Sequence, residues 1–485
     1  MKTQQWIRGL LACALTAGLA GCSGGSTSTS PVQPSAQTGS VFLAGTDAPL
    51  PSIVSFQVQI TNVTLSSGGS STPVSILSAP QTVDFARFNG LQTLLDFNAV
   101  PAGTYTTVNV ALANPVISYL NTTTTPPTIS TVPNASLVNS NLTIMLSTPF
   151  TVTAGQNIGL SMDFNLHNSI QIDANGQVTG LVNPNINFTV LTPNTPAAEI
   201  DEFNASVVSV NASAGTFVVQ GAHGRQFTVQ TSNTTEWENN DSINSLTPNQ
   251  TIVAISGQLQ PSSQTIAADD IAVISQHGFY AGGLVTYVNP SSGVASNFNM
   301  LVNGTLPTGT GITLGQIANV DLTGMEKFYL FRHKVHDGFT QFLFNPSMMV
   351  PAQDVTVGGA SSGAQNAQAL AVDRVVLRFS GISGTVVPGS VDPSTQSFQL
   401  NADGIRGVLF NGPVTVYIGG DTGFRFGFNN GIGDLKNVGT ARVRVVGFVL
   451  KDPASGKPII LGRFVDDKHQ VDMEDSQGDN NQGGN

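Results

Sequence analysis

The feature that most constrains how this 485-residue chain can fold is a regular alternation of apolar and polar residues. In "VSFQVQIT", Val54, Phe56, Val58 and Ile60 fall on one side, and Ser55, Gln57, Gln59 and Thr61 on the other. Side chains of an extended strand point to opposite faces in turn, so this is the pattern of a strand with one buried face. The apolar residues then move to Val63 and Leu65, slipping phase at Asn62. An extra residue there, a β-bulge, keeps both halves facing one core. Further on, "VPAGTYTTVNVAL" sets a Pro-Ala-Gly turn before a strand with Val108, Val110 and Leu112 on one side. No window of this region carries a long helical period. With 51 Gly and 26 Pro to supply turns, the chain is expected to be all-β.

The first region, 40–195, reads as a β-sandwich of prealbumin/Ig-like type that closes near "NPNINFTVL". Three stretches carry a resemblance here: "GTDAPLPSIVSFQVQITNVTL", "VDFARFNGLQTLLDFNAVPAGTYTTVNVAL" and "MDFNLHNSIQIDANGQVTGLVNPNINFTV". Together they resemble an uncharacterised bacterial lipoprotein family, domain of unknown function 4382, from about Ser40 to Leu191. That resemblance implies a sandwich and brings no established activity.

After Glu199 the texture repeats three times, over 199–277, 278–379 and 380–467. Each unit has a strand, a Pro/Ser/Gly turn, a strand, a long middle and two closing strands. In the last unit "ARVRVVGFV" puts Ala441, Val443 and Val445 inward, with Arg442 and Arg444 outward. Units of roughly 75–100 residues are too long for solenoid repeats and read as tandem small antiparallel β-barrels of oligonucleotide/oligosaccharide-binding (OB) type. They are similar to a second uncharacterised repeat family of bacterial surface proteins, domain of unknown function 5666. The second unit departs most, through its insert around Gly304 to Gln341. Residues 468–485 are acidic and polar, without apolar periodicity, and read as a disordered tail.

The front of the chain reads as an export signal, residues 1–21: Lys2 and Arg8, then an apolar run from Gly9 to Leu19 too short to cross a bilayer. At its end Leu19-Ala20-Gly21-Cys22 resembles the lipobox of bacterial lipoproteins. The resemblance implies cleavage before Cys22 and a diacylglycerol on its thiol. Cys13 leaves with the signal, so no thiol remains for a disulfide or a thiolate metal site. Two or more acyl chains anchor durably where one does not. Ser23 after the Cys implies the outer membrane by the usual sorting pattern. Residues 22–39 form a Ser/Thr/Gly/Pro/Gln-rich tether reaching about 20–25 Å.

Charged residues make up 10% of the chain, against roughly 25% for an average soluble domain. The net charge of −11 argues against binding a nucleic acid backbone and against a polybasic membrane patch. Asn-X-Ser/Thr triplets such as Asn62-Val63-Thr64 and Asn134-Ala135-Ser136 read as a by-product of Asn/Thr richness.

Candidate chemistry is weighed against plainer roles. Gly359-Ala360-Ser361-Ser362-Gly363 spells G-x-S-x-G, but a hydrolase elbow needs a helix after it and a His downstream, and the last His is His469 in the tail. It reads as a loop. His333 and His336 sit beside an Asp337-Gly338 hairpin turn and read as solvated polar residues, with metal binding the lesser alternative. Asp47 reads as a turn cap before Pro49, and Asp173-Ala174-Asn175-Gly176 lacks the ligand spacing of a calcium loop. Asp269-Asp270 and Asp466-Asp467 are strand neighbours facing opposite ways, so neither pair can share a proton. Phe424, Phe426 and Phe428 line one side of a strand and read as core; exposed, they would offer a stacking face for a sugar. Trp237 is the sole Trp expected in the mature chain, which weakens a carbohydrate-binding reading.

The expectation is therefore a lipid-anchored cell-envelope protein, non-enzymatic, with no cofactor. It would meet the membrane through Cys22, and an envelope protein or glycan as partner. The alternatives are an envelope hydrolase or glycan-active enzyme whose site is assembled from distant residues, and a carbohydrate-binding surface module.

Overall fold

The computed structural model describes residues 38–467, apart from 49, 51, 68–71, 125–127, 175–176, 192–198, 223, 261–264, 307–310, 332–343, 361–368, 426–427, 429 and 438–441. The chain is all-β, as its alternation predicts, and all the described residues fall within one compact unit, Gln37–Asn485.

The N-terminal region is a sandwich. One sheet runs, in spatial order, Ile186–Leu191, Asn157–Asn165, Thr38–Ala48 and Thr93–Pro101. The other is built on two long partners, Ile53–Ser66 and Gly103–Asn121, flanked by Val74–Ser75, Gln81–Asp84, Thr128–Val132 and Asn141–Val152. Phe56, Phe85 and Phe164 form the centre of the core, with ring centroids 5.0 and 5.1 Å apart. The pairing register of Ile53–Ser66 shifts between Ile60 and Asn62, and Ile60, Val63 and Leu65 are all buried. The bulge read from the phase slip is therefore present. The Pro-Ala-Gly turn is fastened by Tyr105, whose hydroxyl donates to the Pro101 carbonyl at 2.9 Å.

Three five-stranded rings follow. In the first, Glu199–Asn211 lies between Thr216–Gln220 and Ile252–Gln260; Gln226–Gln230 and Thr265–Ser275 complete the circle by pairing in parallel. The third ring is a closed barrel with the same order: Ser380–Val386, Ser397–Ala402, Val414–Arg425, Pro458–Asp467 and Arg442–Lys451. Its parallel junction joins the corresponding strands, Val414–Arg425 and Pro458–Asp467. The parallel pair has a simple cause. Strand direction cannot alternate all the way round a ring with an odd number of members, so one junction must be parallel. The second unit repeats this order with its last strand broken. Ala369–Ala371 pairs with Ile317–Asp321, while Arg374–Arg378 pairs with Asp354–Ala360 and carries an added strand, Lys327–Leu330.

Two sequence-based assignments of side-chain direction need correction. Ser55 and Gln57 do not face water; both are buried. Ser55 donates to Asp84, Gln57 donates to Ser55, and the backbone of the second unit arrives at Gly315, where it accepts from Ser118. Arg444 is likewise buried, bonded to Asp466 and covered by the sandwich turn at Gly90. In both cases another module sits on the polar side of the strand. That contact is a property of packing between modules, which strand periodicity does not encode.

Candidate functional site

The site begins with the arginines. All nine among the described residues are ion-paired to a carboxylate. Arg425, Arg442 and Arg444 pair within the third barrel. The other six cross between modules. Arg87 of the sandwich meets Glu202 of the first barrel, and Arg225 of that barrel meets Asp96 of the sandwich. Arg374 and Arg378 of the second barrel meet Asp241 and Glu202 of the first. Arg406 of the third reaches Asp354 of the second, and Arg463 of the third holds Asp201 and Glu199 of the first.

Glu202 is the centre of this network. It lies 2.6 Å from Arg87 and 3.3 Å from Arg378, and accepts from Asn204 at 2.8 Å. Burial alone would push its carboxyl up; the two guanidinium groups and the Asn204 amide outweigh that and hold it at about 2. Arg378 also donates to the Asn303 side chain at 3.3 Å. Arg87 is aimed at Glu202 by a single 3-10 turn, Phe85–Phe88. Three residues per turn put Phe85 and Phe88 on one side, both buried, and leave Arg87 on another. Just before this turn, Asp84 accepts from Ser55 Oγ at 2.7 Å and from the Phe56 amide at 2.9 Å. Its burial dominates these bonds, and the carboxyl is pushed up to about 6.

Above this floor opens a cleft of about 480 Å³ at the junction of the sandwich and the first two barrels. The sandwich contributes Asp84, Arg87, Phe88, Leu94 and Leu95; the first barrel Glu202, Phe203, Asn204, Arg225 and Phe227; the second Tyr280, Asn303, Ile312 and Leu314. Burial raises the Tyr280 hydroxyl, so it stays a neutral donor. A smaller cavity of about 80 Å³ shares Arg87 and Asn303 with the cleft and extends to the third barrel at Ser383 and Arg406. Apolar walls with a few convergent polar groups are the usual make-up of a small-molecule site.

The residues singled out from sequence are dispersed. Cys13, Cys22, His333, His336, Ser361, Phe426 and His469 lie outside the described residues. Gly359 and Ala360 end the strand Asp354–Ala360. Asp47 is buried near the end of its strand, bridged to Asn89. Asp173 accepts from the Gln177 amide across its hairpin. Asp270 is buried beside the less buried Asp269, and Asp466 is buried between Arg425 and Arg444. Phe428 is buried and Phe424 half-buried against it, ring to ring at 6.3 Å, so these two rings belong to the third barrel's core. Among the described residues no cluster of three or more His, Cys, Asp or Glu is placed to hold a metal ion.

None of the residues that build the cleft was read from the sequence. A usable signal was present: Arg374 and Arg378 bracket "VVL" in an otherwise apolar strand of a charge-poor chain. An arginine in such a strand needs a buried acid.

The fold therefore defines an all-β, multi-sheet protein with its cleft at a module junction. The model of a family described as Domain of unknown function (DUF4382) matches residues 38–179, which contain most of the sandwich. No curated protein matches the chain.

Proposed function

We propose that this chain is a lipid-anchored protein of the bacterial cell envelope, held at the outer membrane through Cys22, that acts as a non-enzymatic binding or scaffolding protein. Its three C-terminal units are assigned to the repeat type resembled by domain of unknown function 5666. The observation that carries the reading is the use of arginine. Six inter-module pairs lock the sandwich and barrels into a fixed arrangement, which suits a body that presents surfaces and a cleft. The leader, Cys22 and the tether supply the membrane end of the same reading. Among the described residues no helix is long and apolar enough to cross a membrane, so attachment is assigned to the lipid.

Mass spectrometry of the native product tests the anchor: the expected N-terminal residue is Cys22 carrying acyl chains, and Cys22→Ala is expected to move the protein from membrane to soluble fractions. A bare residue 22 in the native product overturns it. Incubation of the soluble variant with envelope fractions tests the binding role, with selective retention of an envelope protein or glycan as the expected result. No retained partner of any kind counts against that role.

A further inference from the structure

We propose that the cleft between the sandwich and the first two barrels is a binding site for an organic anion with an apolar body, such as a fatty carboxylate. The walls set the body. Phe88, Leu95, Phe203, Phe227, Ile312 and Leu314 come from three different modules and line one space. Phe203 and Phe227 stack edge to face at 5.2 Å, fixing that wall. At about 480 Å³ the cleft falls within the roughly 300–1,000 Å³ of ordinary ligand pockets, room for one extended chain.

The floor sets the charge. Arg87 and Arg378 share the carboxylate of Glu202, and both also lie in the field of Asp354, which Arg406 holds. The pairing at 2.6 Å engages one of the three Arg87 guanidinium nitrogens. Asp84 also lines the cleft, its oxygens engaged by Ser55 and Phe56. The first barrel also contributes Arg225, whose side chain is 39% exposed and whose partner Asp96 is 3.4 Å away. Asp96 is itself taken up by the amides of Ser78 and Phe97. Asn303 and Tyr280 add neutral hydrogen-bonding groups beside Arg87. The accessible Arg225 guanidinium, beside an ion pair as long as 3.4 Å, is the group that receives a negative head group at the mouth of the apolar walls.

The inference rests on the binding reading above. Its test is titration calorimetry of the full chain, freed of lipid by Cys22→Ala, with dodecanoate, dodecanol and dodecyltrimethylammonium. Dodecanoate is expected to bind about tenfold or more tightly than the other two, the factor that a charge-assisted hydrogen bond supplies. Arg225→Gln is expected to weaken dodecanoate about tenfold while leaving the affinity for dodecanol unchanged, a selectivity that general loss of stability would not produce. Leu314→Trp, which fills the cleft, is expected to abolish binding of all three. Equal affinity for the three probes, or dodecanoate binding unchanged in both variants, overturns the assignment. So does Arg225-dependent binding to phosphatidylglycerol vesicles without binding to dodecanoate. The two readings fail separately. Envelope partners retained without dodecanoate binding remove only the cleft assignment. Dodecanoate bound and recovered chemically altered removes the non-enzymatic reading and keeps the site.

Discussion

Glu202 and Asp84 both line the cleft and respond to acid in opposite senses. The Glu202 carboxyl is held at about 2, below its ordinary 4.5, so its contribution is present above about pH 4.5 and lost as pH falls toward 2. The Asp84 carboxyl is raised from 3.8 to about 6, so its contribution is complete below about pH 4 and lost as pH rises through 6. Each shift of roughly two units corresponds to about 3 kcal/mol. Chemical denaturation of Asp84→Asn across pH 4 to 7 is expected to remove most of the Asp84 slope, because asparagine can still accept from Phe56 and bond Ser55. An unchanged slope would place the titration elsewhere. Glu202→Ala is expected to cost about 3–5 kcal/mol at pH 7, since it strands Arg87 and Arg378 without their acid. Replacing a solvated glutamate would cost far less.

Strands meet across modules at glycines, and the reason is contact distance. A Cβ on Gly381, in the first strand of the third barrel, would lie 1.8 Å from the Asn89 carbonyl of the sandwich. One on Gly358, in the second barrel, would lie 2.0 Å from the Ile274 carbonyl of the first. Neither neighbour is the flexible end of a side chain, so backbone must move. Gly381→Ala and Gly358→Ala are each expected to cost more than the roughly 1–3 kcal/mol of ordinary overpacking. Limited proteolysis should show the affected junction opening first. If both variants resist cleavage like the parent, these approaches are not close. The element level was the most legible in sequence: the bulge at Asn62, the turn at Pro101 and the closing strands of each repeat follow from period and turn chemistry. The third strand of each ring, such as Gln226–Gln230, was hidden in what reads as a long middle. It is short and its partner in the ring lies far along the chain, so no local pattern marks it.

At the scale of the molecule, six ion pairs tie four sheet systems together, and most of the charges concerned are buried. Interfaces between domains are ordinarily polar and permissive of motion. Here the removal of one partner leaves an uncompensated buried charge, which couples neighbouring modules. Calorimetry is expected to show one dominant transition for the parent. Glu202→Ala combined with Arg463→Gln is expected to resolve it into separate module transitions. Independent transitions in the parent would show that the pairs do not couple the modules. Moderate salt is expected to change the parent little, because buried pairs are poorly screened. The amino-acid order by itself determined the strands, their inward faces and the repetition of a barrel plan, because period, turn residues and bulges are local. Only the tertiary structure decided which polar faces are covered, that Arg87, Glu202 and Arg378 meet, and that a cleft opens beside them. Those contacts join residues more than one hundred positions apart, and a charge in a strand looks the same in sequence whether water or another module lies above it.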